Sequence, residues 1–288
     1  MRRRTFLNET LDRIGPYLIA AVAVNPIWIA RSASSAYSDM RTETPAPLPN
    51  ESPTAVTRTT SGDDYQMKYH WNGRKTPGWE LQFTVPQSTY HRAVQRSLGY
   101  ATAFDAARQN FTASRIGTKL ENSEPTSSFS ASHPSPVVRF DRAVEFVRSL
   151  TYMTDHDSRN FPDYHRTVEE TLVDGGGDCK DHTYLMAGIL SQPPFEYQTA
   201  MVFSPGHMLL GVHKGDLPPE YSGLPTLVDT DYLAVETVTS DPIGVFDEGV
   251  VLAIYNDGFE YLDRTAIAET TIDFLRDPTE SQIISNMD

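Results

Sequence analysis

Glu170-Thr171-Leu172-Val173-Asp174-Gly175-Gly176-Gly177-Asp178-Cys179-Lys180-Asp181 is the stretch on which the reading of this chain turns. A flexible triple-glycine turn runs into an aspartate and then into the only cysteine of the 288 residues. Behind it Cys179, Thr183, Met186 and Leu190 recur at helical spacing, and Asp178 suits the N-cap, so the thiol is predicted in the first turn of a helix. There the positive end of the helix dipole favours thiolate over thiol. The free N–H of Cys179 itself can donate to the oxyanion formed when sulfur attacks a carbonyl. A lone cysteine in a helix is usually a small core residue; the glycines and the N-cap favour a reactive one here. The glycines do not read as a phosphate cradle, because no Lys-Ser/Thr pair closes them.

A thiol nucleophile needs a base. Tyr197 to Phe203 is predicted as a strand, Ser204-Pro205-Gly206 as a turn, and His207 to His213 as the next strand. His207 opens that strand, where a side chain projects past the sheet edge toward a helix N-terminus. His213 shares its face but adjoins Lys214 and a Pro-rich loop, and reads as a solvated strand end. The following predicted strand, Leu227 to Thr237, carries Asp229, Asp231 and Glu236. One of these is expected to orient the imidazole and stabilise its charged form.

The order Cys, His, acid resembles the transglutaminase-like (papain-like cysteine hydrolase) superfamily, and within it the exported archaeal and bacterial proteins of that type. The residues that carry the resemblance are Glu170 to Asp181, then Pro205-Gly206-His207-Met208 with Gly211-Val212, then Tyr232-Leu233-Ala234-Val235-Glu236-Thr237. It reaches upstream through Phe146-Val147, Tyr152 and the Trp79 to Pro86 strand. What it implies is an α+β fold in which the cysteine heads a helix packed on an antiparallel sheet that bears the histidine and the acid. By that match Cys179, His207 and Glu236 take the roles of nucleophile, base and third member. Asp231 is the reserve for the third, since many relatives have Asp where this chain has Glu. Tyr152 is a candidate second oxyanion donor, and Gly177, Asp178 and Asp181 are expected to hold the local structure. The implied activity is acyl transfer on amide bonds of proteins or peptides through an acyl-enzyme, as a peptidase or amidase, or as a cross-linker where an amine takes the acyl group. The alternative is a non-catalytic surface or interaction module that keeps the fold. No cofactor and no metal is expected.

Composition narrows the field. The length leaves room for one large domain or two small ones. A single cysteine excludes an internal disulfide framework and a Cys-rich zinc site. The formal charge is -14, from 38 acids and 24 bases, and no segment gathers Lys and Arg into a basic face, so nucleic acid is not an expected partner. Only five of those bases are lysines: Lys68, Lys75, Lys119, Lys180 and Lys214. Asp155-His156-Asp157 lacks the residues at 159 and 160 that a calcium loop requires, having Arg and Asn there, and reads as a solvated polar loop. Asn50-Glu51-Ser52 and Asn110-Phe111-Thr112 are glycosylation-type sequons.

Arg3-Arg4-x-Phe6-Leu7, an uncharged run from Ile14 to Ala30, and small residues through Ala36 follow the order of a twin-arginine-type signal, assigned to 1–33. Pro16 and Pro26 argue against a stable membrane span. The protein is therefore expected to be exported, extracellular or at the cell surface. Residues 34–64 read as a disordered Ser/Thr/Pro-rich linker. Residues 65–135 read as a β-hairpin and helix part packed on the core: alternation at Tyr65, Met67, Tyr69 and Trp71, then at Trp79, Leu81, Phe83 and Val85, about Asn72-Gly73, followed by a helix from Tyr90 to Gln109. Residues 136–264 read as the transglutaminase-like core, opening with a helix on Val137, Phe140, Val144, Val147 and Leu150, and 265–288 as an acidic tail. Thr112 to Pro136 and Tyr152 to Glu170 read as polar excursions. The expected partner is a protein or peptide substrate; cell-surface association and oligomeric state stay open.

Overall fold

Strands β1 (Ala55–Ser61), β2 (Asp64–Trp71) and β3 (Trp79–Pro86) form an antiparallel sheet in that order. Tyr65, Met67, Tyr69 and Trp71 face inward, paired with Val85, Phe83, Leu81 and Trp79, as their alternation predicts. The computed structural model describes residues 45–46, 55–72, 78–122, 135–161, 163–246 and 250–262. The signal at 1–33, the sequon at Asn50, Gly73 of the predicted turn and the tail at 265–288 lie outside them, as does most of the linker. Strand β1 corrects the linker reading for its last residues. Thr57, Thr59 and Thr60 are β-branched and suit an edge strand with one face in water, yet give no apolar alternation to announce it. Ala46 is buried as well: its N–H donates to Asp174 Oδ1 at 3.2 Å and its carbonyl accepts from Arg58 Nη2 at 3.0 Å.

Helices α1 (Gln87–Val94) and α2 (Tyr100–Arg108) replace the single helix expected from Tyr90 to Gln109. The break falls at Gly99, which caps α2 in extended conformation with its N–H bonded to Thr102 Oγ1 at 2.9 Å. Helix α3 (Phe111–Asn122) occupies a stretch read as polar, burying Ala113, Ile116, Gly117 and Leu120 on one face. The sequon residue Asn110 is engaged at its start, accepting from the Ala113 N–H at 2.9 Å and donating to Glu169 at 3.0 Å. Helix α4 (Pro136–Arg148) buries Phe140, Ala143, Val144, Phe146 and Val147.

Next come β4 (Thr151–Tyr152), α5 (Asp155–Arg159), α6 (Val168–Asp174), β5 (Gly176–Gly177) and α7 (Cys179–Leu190), with β4 and β5 paired in parallel. A five-stranded antiparallel sheet is built from β6 (Thr199–Ser204), β7 (His207–His213), β8 (Tyr232–Val235), β9 (Ala253–Tyr255) and β10 (Phe259–Tyr261), in the order β10-β9-β6-β7-β8. Strand β8 is shorter than expected because Leu227 to Asp231 turns, with the Thr230 N–H on the Leu227 carbonyl at 3.1 Å and Asp229 at φ 60°. All 12 residues of α7 are buried, enclosed by α2, α3 and α4 and by β7. Its apolar C-terminal part, Leu185 to Leu190, suits that position, whereas Lys180, Asp181, His182 and Thr183 at its start are buried polar groups. One face of the five-stranded sheet, with Met201, Phe203, Met208, Leu210, Val212, Leu233 and Val235, shares a core with α7 and the aromatic residues of β2 and β3. The other face, with Ala200, Val202, Leu209, Tyr232, Ala234 and Ile254, packs with Leu227. The fold is α+β, and a single core joins the strands and helices of the 65–135 part to α7 and the five-stranded sheet.

Candidate active site

The turn before the cysteine is built, not loose. Gly175 takes φ 83° to end α6. A Cβ on Gly176 would stand 2.0 Å from the Thr151 carbonyl oxygen, and one on Gly177 2.5 Å from Asp181 Cβ. The flexibility expected of three glycines is thus replaced by close approach to β4 and α7. Asp178 caps α7 with Oδ1 accepting from the N–H groups of Lys180 at 3.1 Å and Asp181 at 3.3 Å, while Asp181 Oδ2 accepts from the Asp178 N–H at 3.3 Å. The His182 N–H goes to the Asp178 carbonyl, and the Cys179 N–H has no partner among the described residues. Gly177→Ala is expected to break this box and destabilise the protein by about 1–3 kcal/mol in urea unfolding.

Cys179 is 4% exposed, and its carbonyl accepts from Thr183 Oγ1 at 2.8 Å and Thr237 Oγ1 at 3.4 Å. His207 opens β7 and hydrogen-bonds the Cys179 side chain, while its Nε2 lies 2.7 Å from Glu236 Oε2. That leaves Nδ1 for the sulfur. Glu236 stands just past β8, and its Oε1 accepts from the N–H groups of Thr237 at 2.7 Å and Val238 at 2.8 Å. Its own carbonyl accepts from Arg148 Nε at 2.9 Å. Both carboxylate oxygens are therefore fixed, and the extra methylene relative to Asp spans the gap from the strand end to the ring.

Burial alone would raise the Glu236 carboxyl, but His207 and the two backbone amides outweigh it and hold the group below the usual carboxylate range. Burial also opposes charge on His207; hydrogen bonds to Cys179 and Glu236, and their negative charges, override it and push the imidazole up to about 11. Two other buried histidines move the other way under desolvation. His182 is pushed down to about 4, and His165 is also lowered. A group raised on folding stabilises fully below its unfolded value, about 6.5 for His, and loses that contribution as pH rises through its folded one. Unfolding free energy is therefore expected to fall more steeply toward about pH 11 in the wild type than in His207→Gln, as read by urea titrations at stepped pH.

The remaining expected residues separate. Asp231 is exposed, its carbonyl bonded to the Lys214 N–H at 2.9 Å, beside the His213–Tyr232 pair. It lies at the opposite end of β7 from His207, roughly 20 Å away along the strand, so the reserve third member is set aside. Asp229 is held in the same turn, and His213 Nδ1 lies 3.8 Å from Asp216. Tyr152, set by β4 beside Gly177, is 43% exposed, and its phenol is raised by burial first and then by the charges of Cys179 and Asp178. It is a neutral hydroxyl at the rim of the site.

The residues that sequence reasoning missed lie beneath Cys179. The stretch read as a polar excursion folds into a buried ion network, and Asp155, assigned to a solvated loop, is 4% exposed within it. Arg166, fully buried, donates through Nη1 to Asp155 Oδ1 at 3.0 Å and Asp181 Oδ2 at 2.9 Å, through its backbone N–H to Asp181 Oδ1 at 2.9 Å, and through Nε to Asp174 at 3.3 Å. Arg159 Nη2 donates to Asp174 at 2.5 Å. Lys180 Nζ donates to Asp155 Oδ2 at 2.5 Å and also to Asp178 Oδ2. Burial pushes the Asp178 carboxyl up, and the Lys180 ammonium acts against that. Asp181 thus meets both Arg166 and the Asp178 N–H.

Comparison with known proteins adds little to these contacts. No family model matches the chain, and no curated protein does. Among solved structures, Legionella pneumophila LapG (calcium-bound) is similar at 15% identity and a TM-score of 0.31, over 62% of this chain and 99% of that one, a distant likeness of fold.

Proposed function

We propose that this chain is a cysteine-dependent acyl-transfer enzyme of the transglutaminase-like kind, acting on amide bonds of peptides or proteins. The observation that supports it is the hydrogen-bonded run Glu236, His207, Cys179 at the start of α7, with the imidazole raised to about 11. The Cys179 thiolate adds to the amide carbonyl, and the oxyanion takes the hydrogen bond of the Cys179 N–H, which has no partner among the described residues, with the Tyr152 hydroxyl as second donor. His207 then gives its proton to the nitrogen of the leaving amine as the C–N bond breaks, leaving a thioester. Neutral His207 takes a proton from water as the water oxygen adds to the thioester carbonyl; collapse releases the acid and restores thiolate and imidazolium. Glu236 holds the ring and its charge throughout. Water is the default acceptor, which favours peptidase or amidase activity over cross-linking. The Arg3-Arg4 segment supports action after export, at the cell surface or beyond.

The test is trapping with a library of electrophilic peptides, read by mass spectrometry. One adduct on Cys179 is expected in the wild type and none in Cys179→Ala. Labelling of the wild type no faster than of a model thiol would leave the enzyme reading without support and favour a non-catalytic module.

A further inference from the structure

Lys180 is out of place by every local rule. It is a fully buried lysine, one of five in the chain, and it sits in the first turn of a helix, where the dipole disfavours a cation. Its explanation lies in what surrounds it. Asp155, Asp178 and Asp181 are all buried and each turns a carboxylate oxygen to a common point, these atoms lying within 4.8 Å of one another. Three buried carboxylates converging in this way form the oxygen-rich set that a hard divalent cation such as Ca2+ takes, at about 2.3–2.6 Å from each oxygen. Here the Lys180 ammonium bonds Asp155 Oδ2 at 2.5 Å and Asp178 Oδ2, and stands 3.5 Å from Asp163 Oδ1. Arg166 Nη1 bridges the other oxygen of Asp155, at 3.0 Å, to Asp181 Oδ2, at 2.9 Å. Each of the three carboxylates thus already has a cation from the protein itself.

We propose that Lys180 is a tethered substitute for a divalent cation, and that it acts as a positioning residue for Cys179. Asp178 and Asp181 are the two halves of the capping box that sets the turn before the thiol, so the charge that holds them also fixes where sulfur sits. Asp155 reaches into the same set from α5, tying that helix to the turn. The site therefore needs no metal, and removing the ammonium opens a cage that a metal can fill. The positioning part rests on the reading of Cys179 as nucleophile; the cation part does not.

The experiment uses the full chain, Lys180→Ala, and the double variant Asp155→Asn with Lys180→Ala, each titrated with Ca2+ by calorimetry and thermal unfolding with and without excess EDTA. The wild type is expected to bind no Ca2+ at the cage and to keep its Tm in EDTA. Lys180→Ala is expected to bind one equivalent and to gain on the order of 5 °C in Tm at saturating Ca2+, and the double variant to lose that response. Iodoacetamide labelling of Cys179 is expected to slow by about 10–100-fold in Lys180→Ala and to recover with Ca2+, which a merely space-filling lysine would not allow. If Lys180→Ala fails to fold alone, refolding yield with and without Ca2+ reads the same effect. A wild type that binds Ca2+ in an Asp155-dependent way, or a Lys180→Ala protein indifferent to Ca2+ in binding, Tm and refolding, overturns the proposal. Ordinary thiol reactivity in the wild type sinks the enzyme reading and leaves the calorimetric test standing.

Discussion

His207→Gln is expected to slow hydrolysis of a peptide amide by about 10²–10⁴-fold, the usual worth of a positioned general acid and base. On the proposed mechanism the loss arises at two steps, because the same imidazole would protonate the departing amine and later take a proton from water. Glutamine retains a donor for Glu236 Oε2, which otherwise stays buried with only its Oε1 held by the Thr237 and Val238 amides. The fold is therefore expected to persist, as thermal unfolding of the variant will show. Steady-state kinetics on a peptide found by trapping provides the measurement. A variant that keeps more than about a tenth of the wild-type rate would remove His207 from proton transfer.

Arg166→Met is expected to cost about 3–5 kcal/mol of stability, because it strands Asp155, Asp174 and Asp181 in a dry site with one cation fewer. That is a large share of the roughly 5–15 kcal/mol that keeps a domain folded. The Lys68–Glu80 pair, 2.8 Å apart with side chains 51% and 31% exposed, supplies the control. Lys68→Ala is expected to change stability by no more than about 1 kcal/mol. Urea unfolding of the two variants side by side reads both values. Equal losses would mean that the buried network carries no special weight.

What could be read in the sequence was whatever depends on period. Tyr65 to Trp71 and Trp79 to Val85 alternate, and both strands form with those residues facing inward. His207 to His213 is a strand over the range its pattern predicts. Helix α3 was equally legible, since Ala113, Ile116 and Leu120 lie at helical spacing, but its polar residues masked the stripe. Strand β1 was harder, because a threonine-rich edge strand has neither an apolar stripe nor a turn signal to mark it. The glycines before Cys179 marked a turn, but which of them avoids Thr151 and which avoids Asp181 depends on elements that meet only after folding.

For the site, the order of cysteine, histidine and acid brought out Cys179, His207 and Glu236, and Asp231 fell away because β8 runs its length between the two acids. The ion network was invisible for a physical reason. Charged residues are assigned to water unless their partners are known, and Asp155 finds Arg166 and Lys180 across 11 and 25 positions of chain. The one local hint was a lysine in the first turn of a helix, against the dipole.

The most direct measurement of the pairing of Cys179 with His207 is the rate of iodoacetamide alkylation as a function of pH, in the wild type and in Glu236→Gln. The proposed pairing of Cys179 with a charged His207 imidazole, whose proton is held up to about pH 11, predicts alkylation near neutral pH that is faster than that of a model thiol. Glu236→Gln removes the carboxylate that supports that proton and is expected to lower this rate. A wild-type rate that instead climbs with pH along the curve of a free thiol, centred at about 8.5, contradicts the pairing.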